Sequence, residues 1–156
     1  MNTEERSDTM KDNVLISVSG SHIYENYTED LMEMLTPGNY YVKDGTYTIS
    51  YSEAESDSSN SYTTTLTIDP NRRITIIREG EVPSHMVFEQ GQKHILYYDT
   101  EFGAVTIGVS ANRVNADLTE NGGDIEIDYS IEIDHAVASD NILKLNVRKT
   151  KPYNLS

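Results

Sequence analysis

Between Gly122 and Asp134 the chain alternates with a period of two. Ile125, Ile127, Tyr129, Ile131 and Ile133 fall on one side; Asp124, Glu126, Asp128, Ser130, Glu132 and Asp134 fall on the other. Successive side chains of a strand point to opposite faces, whereas a helix would spread those carboxylates around its whole circumference. The stretch therefore predicts a β-strand with a dry face and a wet face, in an antiparallel sheet of the same two-sided character.

At 156 residues the chain has the length of one domain that buries a core without covalent staples. It has no cysteine, which excludes disulfides, zinc–thiolate sites and thiol nucleophiles. Eleven tyrosines against two phenylalanines and no tryptophan suit half-wet strand positions. The net charge of -14 repels phosphodiester backbones and anionic headgroups, so neither nucleic acid nor a membrane surface is an expected partner. A basic protein is the macromolecular partner that such a surface fits. Met1 to Asp8 has neither a basic start nor an apolar h-region, and no apolar run is long enough to span a bilayer as a helix. A cytoplasmic protein is expected, in which the sequons at Asn26 and Asn154 are chance matches.

The same alternation recurs along the chain. Residues 1–12 are polar and unpatterned and read as a tail, 13–152 as one β-barrel domain, and 153–156 as a C-terminal tail. Val14, Ile16 and Val18 share a face, with Gly20 marking a bend or bulge. Glu29 to Leu35 is read as a strand ended by Pro37-Gly38. Asp44-Gly45 predicts a tight hairpin between Asn39–Lys43 and Thr46–Tyr51. Glu55 to Ser61 is a loop tip, and Tyr62, Thr64, Leu66 and Ile68 make the next inward row. Asp69-Pro70-Asn71 turns the chain into Arg73–Arg78. A second hairpin is expected at Gln90-Gly91, between Met86–Glu89 and Ile95–Tyr98, followed by strands over Ala104–Ser110 and Arg113–Leu118. For the last pair, charge matching sets Ile133 opposite Leu143, Glu132 opposite Lys144 and Asp128 opposite Arg148. The fold expected is all-β: an antiparallel up-and-down barrel of about eight to ten strands with little or no helix, closure removing the exposed edges.

Several stretches resemble the YwiB-like family of small bacterial proteins with a calycin-like (lipocalin-related) barrel. They are Gly38 to Gly45, Tyr51-Ser52-Glu53, Arg78-Glu79-Gly80, Met86 to Glu89, Tyr98 to Gly103, and Gly123 to Tyr129. Their order and spacing cover the chain from about Val14 to Arg148; Thr46 and Thr48 stand where the family pattern favours apolar or aromatic residues. The resemblance implies a calycin-like barrel and brings no catalytic or binding residues with it.

No catalytic constellation stands out. His22, His85, His94 and His135 lie on separate segments without metal-ligand spacing. Carboxylates two apart on a strand are roughly 6.5–7 Å apart, too far to chelate one ion together. No serine sits in G-x-S-x-G. Neither a catalytic residue nor a metal site nor a cofactor is expected. The residues that invite a ligand are Arg78, Glu53, Tyr51, Tyr98 and Thr100. Arg78 follows Ile74 and Ile76 on one face, so an inward Arg78 requires a carboxylate such as Glu53. The first expectation is a barrel binding a small, partly apolar ligand in its interior through these side chains. The second is an acidic protein–protein interaction module with a solid core, and the third an enzyme of unassigned type. Nothing in the chain specifies an oligomeric state.

Overall fold

The computed structural model describes residues 13–24, 27–54, 61–80 and 83–150. The expected tails and the expected loop tip at 55–60 lie outside the described residues. Ten strands follow one another: β1 (Val14–Ile23), β2 (Thr28–Lys43), β3 (Thr46–Ala54), β4 (Ser61–Ile68) and β5 (Ile74–Glu79), then β6 (Ser84–Phe88), β7 (Lys93–Thr100), β8 (Gly103–Thr119), β9 (Gly122–Ile133) and β10 (Ala136–Lys149). They form one antiparallel sheet in the order β6-β5-β4-β3-β2-β1-β10-β9-β8-β7. This is the expected all-β up-and-down arrangement, a near-closed barrel. No helix long and apolar enough to cross a membrane occurs among the described residues.

Local chemistry explains most of the corners. Asp44 and Gly45 carry φ of 52° and 80°, the two positive values that a two-residue hairpin turn with the correct twist demands. Gly20 marks a bulge, with the β1–β2 register shifting between it and Ser21. Pro37-Gly38 corrects the expectation of a strand end. The strand runs through it, and β2 passes there from pairing with β1 (Thr28 to Gly38) to pairing with β3 (Asn39 to Lys43). A Cβ on Gly38 would lie 2.4 Å from Ile16 Cδ1 and 2.5 Å from the Ser50 carbonyl, so only glycine lets the three strands close in at this corner. The two strands expected over 104–118 are one, β8, broken by a register shift between Ala111 and Arg113.

The final hairpin keeps the predicted faces and changes the register. Leu143 lies opposite Ile127, Leu145 opposite Ile125 and Lys144 opposite Glu126; Arg148 faces Gly122. The Asp134-His135 turn and a bulge between Val137 and Ser139 decide this together. Both turn residues have positive φ (49° and 71°), and Ile133 pairs directly with Ala136 across them. A tight turn fixes register more firmly than exposed charge pairs worth under about 1 kcal/mol each. Glu132 finds its cation elsewhere, 2.8 Å from Lys93 Nζ on β7.

The expected Gln90-Gly91 hairpin is also corrected: β6 and β7 are joined by the turn, yet they are the two ends of the sheet and share no ladder. The lower end of this seam closes on the free edge of β8 through the Gln90-Gly91 turn, whose Gly91 N–H donates to the Ala111 carbonyl at 2.8 Å and whose Gln92 carbonyl accepts from the Ala111 N–H at 3.1 Å, and through side chains. Gln90 Oε1 accepts from the Val114 N–H at 3.0 Å, Arg72 Nη2 donates to the Ala116 carbonyl at 3.1 Å, and the Tyr47 hydroxyl donates to the Leu118 carbonyl at 3.3 Å. The Tyr40 hydroxyl does the same for Thr119.

Inside, the lower half is filled. Val14, Ile16, Ile49, Leu66, Ile74, Phe88, Ile125 and Ile127 are all at most 1 % exposed. Burial fades up β9, and Ile133 is exposed. Toward the upper rim the inward rows of β3, β4 and β5 turn polar at Glu53, Thr64 and Arg78, with Tyr62 beyond Thr64 on β4.

Candidate functional site

β6 has five residues, and β7 pairs only along the upper part of β8, from Gly103 to Ser110. The seam therefore gapes at the upper end. The result is a cleft of about 400 Å³ with Ile77, Arg78, Ser84 and His85 on one lip and Leu96, Tyr97 and Tyr98 on the other. Its walls are mostly apolar with a few polar groups, the composition typical of small-ligand sites.

Arg78 is placed here by the strand period, two residues beyond Ile76 and four beyond the fully buried Ile74. Its guanidinium lies over the Tyr62 ring, 4.7 Å from the centroid, and Nη2 is 3.6 Å from Glu53 Oε2. That separation is a charge contact, longer than the hydrogen bonds of a bidentate arginine–carboxylate fork. The same carboxylate oxygen accepts a 3.1 Å hydrogen bond from the Thr64 hydroxyl. Arg78 Nε is shut off from solvent and has no acceptor among the described residues. The side chains of Arg78 and Glu53 are 43 % and 20 % exposed, so the pair sits at a rim rather than in the core.

Tyr51 lies just below, buried. Burial pushes its phenol up to about 12; the Glu53 carboxylate adds to the rise, while Thr64 and Arg78 work against it. Burial alone raises Tyr129 as well, and Tyr129 packs edge-on against Phe88 at 5.1 Å. These phenols are neutral structural groups at ordinary pH.

Of the five residues singled out in the sequence, Arg78 and Glu53 are brought into contact, Tyr51 supports them from beneath, and Tyr98 faces Arg78 across the cleft. Thr100 is not part of the cleft: its hydroxyl donates to the Gly103 carbonyl at 2.6 Å and accepts from the Phe102 N–H at 3.1 Å. It is a turn former. Tyr62, Ser84, His85 and Leu96 were missed. The inward row from Ile68 back to Tyr62 could have found Tyr62; the others depend on which strands flank the seam.

Ser84 and His85 are neighbours on a strand and point to opposite faces, so they do not make a nucleophile–base pair. Of the other histidines, His22 Nδ1 is 2.7 Å from Asn141 Oδ1 and His94 Nε2 is 3.1 Å from Glu89 Oε1. No group of three or more metal-ligating side chains occurs among the described residues.

A larger trough of about 810 Å³ crosses the wet faces of β2, β1, β10, β9 and β8. Ser17, Ser19, Asn115 and Asn146 line it together with Glu33, Asp117, Asp124 and Glu126, and Lys144 Nζ stands 4.0 Å from Glu126. Polar and apolar groups share its lining about equally, with Val18, Met34, Leu35, Ile125 and Leu145 among the apolar ones, so despite its size it is less apolar than the seam cleft.

The family model for "Domain of unknown function (DUF1934)" matches residues 16–145. The chain belongs to this family. It is 28 % identical over 113 residues to the "Uncharacterized beta-barrel protein YwiB" of Bacillus subtilis (strain 168), covering 72 % of this chain and 78 % of that protein. The crystal structure of the ywiB protein from Bacillus subtilis superposes with a TM-score of 0.72 at 23 % identity, over 94 % of this chain and 99 % of that one. The likeness shows a shared fold, and the span matched by the family model, residues 16–145, contains the whole seam cleft.

Proposed function

We propose that this DUF1934 protein is a binding protein for a small, partly apolar ligand, held at the seam cleft between β5–β6 and β7. The observation that carries the proposal is Arg78, a cation that lines the cleft together with Leu96 and Tyr98 and whose Nε has no acceptor among the described residues. The interior is the weaker place for a ligand, because Ile16, Ile49, Leu66, Phe88 and Ile127 already fill its lower half. A calycin-like kinship belongs to the same proposal and is supported by the up-and-down strand order.

Native mass spectrometry of the gently purified protein, followed by solvent extraction, tests the proposal. A reproducible small molecule is expected with the wild type and is lost in Arg78→Ala. The variant should keep its fold, since a loose rim pair and one cation–π contact are each worth about 1 kcal/mol or less. Retention of the same molecule by Arg78→Ala would contradict the assignment.

A second reading, a basic protein partner seated on the wet face, is favoured by the trough with its four carboxylates against one lysine. Its mark would be a complex that weakens steeply with added salt.

A further inference from the structure

The environment of Arg78 also restricts what the ligand can be. The chain carries 26 Asp and Glu against 12 Lys and Arg, so a cation held in an apolar-walled recess is unusual here. Arg78 is also incompletely used. A guanidinium offers five N–H donors in a planar fork. Glu53 meets one nitrogen at 3.6 Å and shares the same oxygen with Thr64, while Nε has no acceptor among the described residues. A neutral apolar occupant would cover these donors and leave them unsatisfied, and a cationic one would be repelled. An oxyanion would pair with the exposed part of the guanidinium, Nε itself being closed off.

Resting on the assignment of the seam cleft as a ligand site, we infer that its ligand is a small apolar body ending in an oxyanion, a carboxylate or a phosphate monoester, bound by Arg78. Glu53 is the resident carboxylate that the ligand must share the guanidinium with or displace. Glu53 thus lowers affinity while keeping the empty site neutral. Leu96 and Tyr98, two apart on β7, share one face and supply a wall for the apolar body, and about 400 Å³ accommodates a two-ring aromatic.

Calorimetric titration of the full chain with three matched probes tests this: 2-naphthoate, 2-naphthyl phosphate and 2-naphthalenemethanol. The expected result is that at least one anion binds about tenfold or more tighter than the alcohol, against the repulsion of a protein with net charge -14. The tighter of the two anions names the head group. Glu53→Gln, which keeps the shape and the acceptor for Thr64, should tighten the anion several-fold and leave the alcohol unchanged. Arg78→Ala should erase the preference, and Arg78→Lys should restore only part of it. If the alcohol binds as well as both anions, or if Glu53→Gln leaves anion affinity unchanged, the inference is overturned while the cleft stands as a ligand site. If no probe binds, the cleft assignment and the inference fall together.

Discussion

Tyr51, Glu53, Thr64 and Arg78 act as one unit, and Tyr51 carries a measurable signature of it. Its phenol titrates near 10 in an unfolded chain and at about 12 in the fold. Below pH 10 both states keep the proton and stability is unaffected. Between 10 and 12 the unfolded state loses the proton first, so it binds fewer protons and stability falls as pH rises, by ~1.4 kcal/mol per pH unit for this group. Urea unfolding at pH 8, 10 and 11 should show a shallower alkaline loss in Tyr51→Phe than in the wild type. Equal slopes would mean that the hydroxyl is not held out of water. Arg78 and Glu53 were legible as a pair because the two-residue period carries both onto inward rows. Thr100 was misread because a hydroxyl within a strand-like run gives no sign that the adjoining turn consumes it.

At the level of strands, the faces followed directly from the sequence and the pairings did not. Alternation named the inward row of β9, which is dry at Ile125 and Ile127, half-buried at Tyr129 and Ile131 and exposed at Ile133, and Asp44-Gly45 named its turn. The β9–β10 register was missed because the Asp134-His135 turn and the bulge after Val137 together outweigh cross-strand ion pairs in deciding who faces whom. The seam was missed for a related reason. Gln90-Gly91 has turn chemistry whether or not the flanking strands pair, and nothing local records that β8 lends its edge to the turn and to side chains instead. That closure is testable. Gln90→Ala would leave the Val114 N–H without its acceptor, at a cost of about 1 kcal/mol. Hydrogen exchange should then quicken at Val114 above all. Unchanged protection there would show that the lower seam holds without the Gln90 side chain.

For the whole molecule, the division of labour runs along the barrel axis. The lower half is packed and sealed by Tyr40, Tyr47, Arg72 and Gln90. The upper half is left open where the outer edge of a five-residue β6 shares no ladder with β7. Rigid strands on a filled core hold Arg78 at that opening, which is how a stable scaffold positions a site without dedicating its interior to it. The most direct test of this account is a two-dimensional NMR titration of the labelled protein with 2-naphthoate. The account predicts shifts at the amides of Ser84, His85, Leu96 and Tyr98 and at Arg78 Nε–H, with the wet face silent. Shifts confined to Ser17, Asn146 and Lys144 on the outer trough, or at the buried Ile127 and Phe88, would contradict it.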